Sequence, residues 1–169
     1  MWQDFQQTAM SVERLGDIFN SKPEPSFDSS RTALPPLNGY IVFDRVSFRY
    51  KLDGAEVIKN MSFQIRPNTV VGIVGRSGSG KSTISKLIQR LYLPESGKIL
   101  IDGMDLSLAD PESLRSQIGV VMQESFMFNA TIRENIALQN PAAPIESIIQ
   151  VAKIAGAHEF IIEMSEGYD

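Results

Sequence analysis

Residues 75–83, which read GRSGSGKST, combine three glycines with a lysine and several hydroxyl side chains. They fit the pattern G-x-x-x-x-G-K-[ST], in which successive backbone N–H groups form a nest for phosphate oxygens. Glycine lets the backbone bend and approach these oxygens without a Cβ in the way. The pattern therefore predicts a loop that binds the polyphosphate of a nucleotide.

The side chains of this loop have separate predicted roles. Lys81 would extend a positive charge to the β- and γ-phosphates, and the Ser82 hydroxyl would be a Mg²⁺ ligand. Thr83 would meet the α-phosphate at the start of the following helix. The other predicted nucleotide-binding residues are Gly75, Arg76, Ser77, Gly78, Ser79 and Gly80.

Two elements must position the loop. Residues 69–74, TVVGIV, are apolar and β-branched, which predicts a strand buried on both faces. Ile84, Leu87, Ile88 and Leu91 follow at helical spacing, and the helix would point its positive dipole end at the phosphates. The alternative is a flexible glycine-serine turn, but a strand and a helix on the correct sides favour the phosphate loop.

Composition restricts the remaining classes of function. The net charge of −4 argues against a nucleic-acid partner. The absence of cysteine excludes a disulfide framework and a thiolate metal site, and one histidine leaves little for a histidine-based site. No apolar run approaches the roughly 20 residues of a membrane span, and the N-terminus lacks a signal-peptide pattern, so a cytoplasmic chain is expected.

The N-terminal part differs from the rest of the chain in composition and hydrophobic patterning. Residues 1–20 are predicted to form one amphipathic helix, and 21–38, with four prolines and several serines, form a linker. The helix either packs on its own domain or continues from another domain, and the linker favours the second interpretation.

The remaining predicted elements follow from periodicity, caps and turns. Strands are predicted at 41–50 (with Val46, Phe48 and Tyr50 on one face), 57–65, 98–101 and 118–122, and turns at Asp53-Gly54 and Asp102-Gly103. Helices are predicted at 110–117, at a capping box formed by Thr131 and Glu134, and at 145–155 and 158–164.

Several of these segments together resemble the nucleotide-binding domain of an ABC exporter. They are Tyr50, the phosphate loop, PESGKILIDGMDL at 94–106 and VVMQESFMFNATIRENI at 120–136. VERLGDIFN at 12–20 and GRSGSGKSTISKLIQRLY at 75–92 are most similar to the haemolysin-type exporters of bacterial type I secretion, which move RTX-like proteins.

The resemblance implies an α/β fold: a P-loop NTPase (RecA-like) core with an N-terminal antiparallel β-subdomain and part of a helical subdomain. Residues 39–169 would be the N-terminal part of the ATP-binding domain, incomplete at its C-terminus, and 1–20 would continue from a transmembrane domain. The implied cofactors are ATP and Mg²⁺.

The resemblance also implies further site residues. Tyr50 would stack on adenine, and Val57 would form an apolar wall beside the base. Gln123 would ligate Mg²⁺ or orient a water, sharing the catalytic role with Lys81. Phe126 and Phe128 would be exposed apolar contacts for coupling helices. The resemblance assigns no chemical role to His158.

The implied function is ATP-driven export, of the type I protein or toxin secretion kind, at the cytoplasmic face of the bacterial inner membrane. The implied partners are a transmembrane domain, a second nucleotide-binding domain in a homodimer and, indirectly, the exported polypeptide, with no nucleic acid.

The family's signature motif, Walker B Asp, catalytic Glu and switch His have no match in the 169 residues, so a truncated chain with negligible turnover is expected. A non-catalytic nucleotide-binding module remains open. So does a soluble P-loop kinase or DNA-repair ATPase, although the acidic balance and the linker count against that class.

Overall fold

The backbone of this protein is described, as a computed structural model, at residues 10, 12, 15, 16, 19, 20, 33–124 and 126–169. It divides into two units, Met1–Gly119 and Val120–Asp169, each with its own internal contacts. The six described positions before residue 21 are helical, as predicted, while the rest of the predicted helix and residues 21–32 of the linker lie outside the described residues. The domain boundaries stay a prediction.

The first unit is built on a four-stranded antiparallel sheet in the order β2-β1-β3-β4. The strands are β1 (Ile41–Phe48), β2 (Ile58–Ile65), β3 (Ser96–Ile101) and β4 (Met104–Asp105). The three longer strands confirm the strands predicted at 41–50, 57–65 and 98–101. The core on this sheet includes Phe43, Val46, Ile58 and Ile99.

A bulge in β1 explains which of its side chains reach the core. Asp44 pairs with Lys98 and Ser47 with Ser96, so two residues of β1 oppose Gly97 alone. In a regular strand, residues 43 and 46 would face opposite sides of the sheet. The extra residue, with Arg45 at φ 51°, restores them to one side, and both are buried.

The turn between β3 and β4 confirms the predicted hairpin at Asp102-Gly103. Both residues have positive φ, 50° and 84°, and Ile101 pairs with Met104 across the turn. Two consecutive positive φ values define the turn that matches strand twist in a two-residue hairpin.

The Asp102 side chain also anchors the segment that leads into β1. Its carboxylate accepts hydrogen bonds from the backbone N–H groups of Asn38 (2.7 Å), Gly39 (3.2 Å) and Tyr40 (2.9 Å). Leu34 is buried in the same unit's core. The end of the proline-rich segment is therefore held by the Asp102 carboxylate and the Leu34 side chain, and the Leu34 and Leu37 N–H groups also donate to Ser113 Oγ and Gln117 Oε1, both at 2.9 Å.

Replacing Asp102 with asparagine is expected to destabilise the fold by about 1 kcal/mol at neutral pH. Burial raises the pKa of Asp102, but hydrogen bonds from Tyr40, Asn38 and Gly39 outweigh it, so the pKa lies below its ordinary value of 3.8. The carboxylate's contribution is therefore complete above the unfolded-state pKa and is lost as the pH falls through the folded-state value.

Urea unfolding of both chains between neutral pH and about pH 3 measures this effect. The difference in unfolding free energy between the wild type and Asp102→Asn should shrink as the pH falls below 3.8. Asp53→Asn, in an exposed turn, is the matched control and should show little effect at any pH. A gap that is the same at every pH would show that the carboxylate charge is irrelevant.

In the described part of the first unit that follows residue 32, two helices accompany the sheet, α1 (Lys81–Ile88) and α2 (Pro111–Arg115). Asp110 caps α2 as predicted, accepting from the Ser113 N–H at 2.7 Å. Arg115 then donates to the carbonyls of Gln89 and Arg90, both at 3.0 Å. These two bonds hold α2 against the C-terminal end of α1, where cationic donors satisfy free carbonyl groups.

The second unit consists of short helices, α3 (Ile132–Ile136), α4 (Ile145–Ile154) and α5 (His158–Ile162). Thr131 and Glu134 form the predicted capping box at the start of α3. Ile148, Ala152 and Ile161 are the side chains that α4 and α5 bury. The three helices confirm the predicted positions to within a few residues.

The strands predicted at 69–74 and 118–122 are wrong for the described chain. Both segments lack strand structure, and Val70, Val74 and Val121 are almost fully exposed. A strand buried on both faces requires neighbouring strands and covering layers, and no described residue pairs with either segment. Apolar β-branched composition alone does not supply those partners.

The predicted helical face after the loop is correct for Ile84 and Leu87, which are buried, but not for Leu91. Arg90 adopts φ 54°, so the chain leaves the helix before residue 91. Among the described residues, every helix falls short of the length and apolar character that a bilayer crossing requires.

Candidate functional site

Residues 75–80 form a tight loop that delivers the chain into α1. The Ser79 N–H donates to the Arg76 carbonyl at 3.2 Å, closing a turn inside the loop. Gly78 and Gly80 have positive φ, 78° and 90°, and Gly80 is the N-cap of α1. The first turn of the helix begins when the Ile84 N–H donates to the Gly80 carbonyl at 3.1 Å. The free N–H groups of this turn are donors for an anion.

Two loop glycines also sit where a Cβ would collide with its surroundings. A Cβ on Gly80 would lie 2.7 Å from Ile58 Cδ1 and 3.2 Å from the Val57 carbonyl oxygen. A Cβ on Gly75 would lie 2.6 Å from the Ser79 hydroxyl. The loop is therefore packed against the start of β2, and its shape depends on residues without side chains.

The Lys81 ammonium folds back over the loop. Its Nζ donates to the carbonyls of Gly75 at 2.9 Å and Arg76 at 2.8 Å. These two bonds hold the charge at the mouth of the loop. Phosphate oxygens are stronger acceptors than neutral carbonyls for a lysine donor, so an incoming polyphosphate can take over this ammonium.

The two hydroxyl side chains that follow Lys81, those of Ser82 and Thr83, differ in exposure. Ser82 is exposed and Thr83 is buried, and Thr83 Oγ1 lies 3.0 Å from the Tyr50 hydroxyl. Tyr50 lies two residues beyond the end of β1. The structure thus brings the predicted adenine platform to the predicted phosphate loop through one hydrogen bond.

Val57 also lies next to the glycine loop. Its N–H donates to the Phe48 carbonyl at 2.8 Å, and its Cγ1 would lie 3.4 Å from a Cβ on Gly80. Tyr50 and Val57 are therefore both adjacent to the loop, as their predicted roles require. Those roles themselves stay predictions.

Sequence reasoning missed two residues beside Tyr50. Lys86 places its Nζ 5.4 Å from the centroid of the Tyr50 ring, within the range of a cation–π contact. The Tyr92 ring lies 5.1 Å from the Tyr50 ring. Lys86 could have been found from its position three residues after Thr83, on the same face of a helix. Tyr92 gives no comparable signal.

Gln123 belongs to the second unit, where it is exposed in a bend just after residues 120–122. Phe126 and Phe128 are exposed, as predicted, and their rings meet edge to face at 5.1 Å. The predicted Mg²⁺ and coupling roles of these residues stay predictions. His158 is paired with the Tyr168 hydroxyl at 2.9 Å, which gives it a structural partner.

The described residues fit a phosphate-bound Mg²⁺ better than a protein-held metal. They contain no group of three or more His, Cys, Asp or Glu side chains that could enclose an ion. Mg²⁺ commonly keeps several waters and takes one or two protein oxygens together with phosphate oxygens. The exposed Ser82 hydroxyl, next to the loop, is the kind of single ligand that such a site needs.

A glycine loop of this pattern at the start of a helix is typical of nucleotide-binding proteins, and comparisons with known proteins place the chain among them. Residues 58–169 match the protein family described as ABC transporter. The leukotoxin translocation ATP-binding protein LktB of Mannheimia haemolytica is 54% identical over 169 residues, which is 100% of this chain and 24% of that protein. The protein of the same name from Bibersteinia trehalosi shows the same identity and coverage.

A solved structure gives the same result. A bacterial Atm1-family ABC exporter with ATP bound matches with a TM-score of 0.82 and 34% identity, over 99% of this chain and 30% of that one. The chain spans about a quarter of the length of the curated relatives.

This chain belongs to the ABC transporter family. The family and the fold class predicted from its motifs are confirmed: an α/β P-loop NTPase fold whose described sheet is antiparallel.

Proposed function

We propose that this chain is the ATP-binding part of an exporter ATPase, with Mg²⁺ as the companion ion. The observation that carries the proposal is the glycine loop at the start of α1, over which Lys81 bonds to the Gly75 and Arg76 carbonyls and which Thr83 links to Tyr50. Lys81 neutralises the β- and γ-phosphates, the backbone N–H groups of the loop bind their oxygens, and Tyr50 and Val57 receive the adenine.

In the whole transporter, ATP hydrolysis drives the export of a toxin-type polypeptide by the type I route. Two relatives named for leukotoxin translocation support this substrate class. The proposed partners are a transmembrane domain and a second nucleotide-binding domain of the same kind, at the cytoplasmic face of the bacterial inner membrane. Gln123 serves as the second protein ligand of Mg²⁺ and positions water, while Phe126 and Phe128 meet the transmembrane partner.

MgATP is expected to stabilise the full 169-residue chain against thermal unfolding. A ligand that binds only the folded state at about 100 times its Kd adds about 2.7 kcal/mol. ATP should stabilise the chain most, ADP less and AMP least, because the loop binds the β- and γ-phosphates. Thermal melts with each nucleotide and Mg²⁺ measure this order, and equal shifts for AMP and ATP would contradict the phosphate-loop assignment.

The isolated chain is expected to release phosphate from bound ATP at a negligible rate. In-line attack requires an oriented water and charge on the γ-phosphate, and no residue in the sequence matches the Walker B Asp, its catalytic Glu or the signature motif. A steady-state phosphate-release assay tests this part of the proposal. Turnover typical of an ABC ATPase would contradict it, while binding without hydrolysis that Gln123→Ala leaves unchanged would favour a purely nucleotide-binding module.

A further inference from the structure

We propose that Tyr92 is a positioning residue for adenine recognition, which acts by holding the Tyr50 ring in the orientation that the base stacks on. This inference rests on the proposed function, because it takes Tyr50 as the adenine platform. The consequence is specific: Tyr92 contributes to the affinity for the base and contributes nothing to the affinity for the phosphates.

Three aromatic rings form a closed cluster at the end of β1. Phe48 and Tyr50 meet at 4.9 Å with an interplanar angle of 82°, and Tyr50 and Tyr92 meet at 5.1 Å and 89°. Phe48 and Tyr92 complete the triangle at 5.4 Å. Edge-to-face rings at these separations attract each other beyond the area that they bury. Each ring therefore restrains the other two.

The cluster has a buried base and an open top. Phe48 is 4% exposed, whereas Tyr50 is 43% and Tyr92 40% exposed. Tyr50 lies beyond the end of β1, so no strand pairing fixes its backbone. Its ring is instead held by the two rings of the cluster, by the bond of its hydroxyl to Thr83 and by Lys86, whose Nζ lies 5.4 Å from its centroid.

The backbone that carries Tyr92 is tied to the backbone that carries Tyr50. The Glu95 N–H donates to the Ser47 carbonyl at 2.9 Å, and the Glu95 carboxylate accepts from Arg49 Nε at 2.7 Å. Arg49 is the residue between Phe48 and Tyr50. The ion pair and the backbone bond therefore keep the segment that carries Tyr92 beside the segment that carries Tyr50.

Prior restraint of Tyr50 matters because stacking on a mobile ring costs conformational entropy at the moment of binding. A side chain already held in its bound orientation avoids that cost, and the saving appears as affinity. Removing the Tyr92 ring leaves Tyr50 with one fewer restraint, and a new gap opens beside it. The bonds that hold the phosphate end of the site, from Lys81 Nζ to the Gly75 and Arg76 carbonyls, involve no aromatic ring.

The test compares a ligand that has a base with one that lacks it, on the full 169-residue chain. Tyr92→Leu is expected to weaken MgATP binding by about threefold to tenfold, while the Kd for magnesium tripolyphosphate is unchanged. Tyr92→Phe keeps the ring and is expected to restore the wild-type ATP affinity. Isothermal titration calorimetry gives both dissociation constants for each variant.

Tyr50→Leu separates failure of this inference from failure of the proposed function. It should weaken ATP binding by roughly tenfold or more relative to tripolyphosphate, and adding Tyr92→Leu to it should have little further effect. If Tyr50→Leu is selective for ATP but Tyr92→Leu is not, Tyr92 has no positioning role. If Tyr50→Leu itself leaves the ratio unchanged, the adenine platform assigned under the proposed function is wrong. Equal losses for both ligands in Tyr92→Leu would also overturn the inference, because the effect of Tyr92 would then not be specific to the base.

Discussion

Replacing Gly97 with alanine is expected to leave the chain largely unfolded under conditions where the wild type is folded. Gly97 has φ 77° and lies in β3 opposite the bulge of β1. A Cβ there would overlap the Arg45 carbonyl oxygen and lie 2.5 Å from the Asp44 carbonyl oxygen. Both atoms belong to the backbone of β1, an inner strand of the sheet, so neither can move without breaking the pairing of β1 with β3.

The expected loss is at least about 3 kcal/mol, since strain at positive φ and a backbone clash add together. A loss of that size is a large part of the stability of a typical domain. Circular dichroism and urea unfolding of the purified chain measure it.

Gly39→Ala is the matched control because Gly39 also has positive φ, 89°, but nothing lies within 4 Å of the Cβ that it would gain. It isolates the cost of the backbone conformation from the cost of the collision. Gly97→Ala should be clearly less stable than Gly39→Ala. Equal stability for the two variants would mean that the sheet accommodates a side chain at the bulge, contrary to the packing described above.

The elements that the sequence predicts correctly are those governed by neighbouring residues. Asp102 and Gly103 together define a hairpin turn, Thr131 and Glu134 define a capping box, and Asp110 before Pro111 defines a helix start. The turn at 75–80 and the start of α1 belong to the same group, because the glycine spacing and the helix after it lie within one short segment. Each of these signals needs no information from a distant part of the chain.

The features that escape prediction depend on partners far away in the sequence. The apolar segments at 69–74 and 118–122 have strand composition, yet whether they form strands depends on what pairs with them. The bulge at Arg45 is set by its pairing with β3, and period-2 patterning cannot reveal it. The contact between Tyr50 and Tyr92 joins residues from two different loops, so neither residue type nor spacing indicates it.

Replacing Lys81 with alanine is expected to weaken MgATP binding by about 100-fold without unfolding the chain. Charge-assisted hydrogen bonds to phosphate are worth roughly 1.5–3 kcal/mol each, and 1.4 kcal/mol corresponds to a factor of ten. The two carbonyl bonds that Lys81 makes in the loop are exposed, so their loss costs the fold little. Calorimetry gives the affinity, and a urea titration of the ligand-free chain confirms that stability is retained.

Lys59→Ala, an exposed lysine on β2, removes the same charge away from the loop and should leave binding within about twofold of wild type. Lys81→Ala should weaken the binding of tripolyphosphate as strongly as that of ATP, because the ammonium would contact the phosphates of the ligand and not its base. Tyr92→Leu should weaken ATP alone, so the two variants together separate the phosphate half of the site from the base half. Undiminished ATP binding by a folded Lys81→Ala chain would show that the loop at 75–83 is not where the polyphosphate lies.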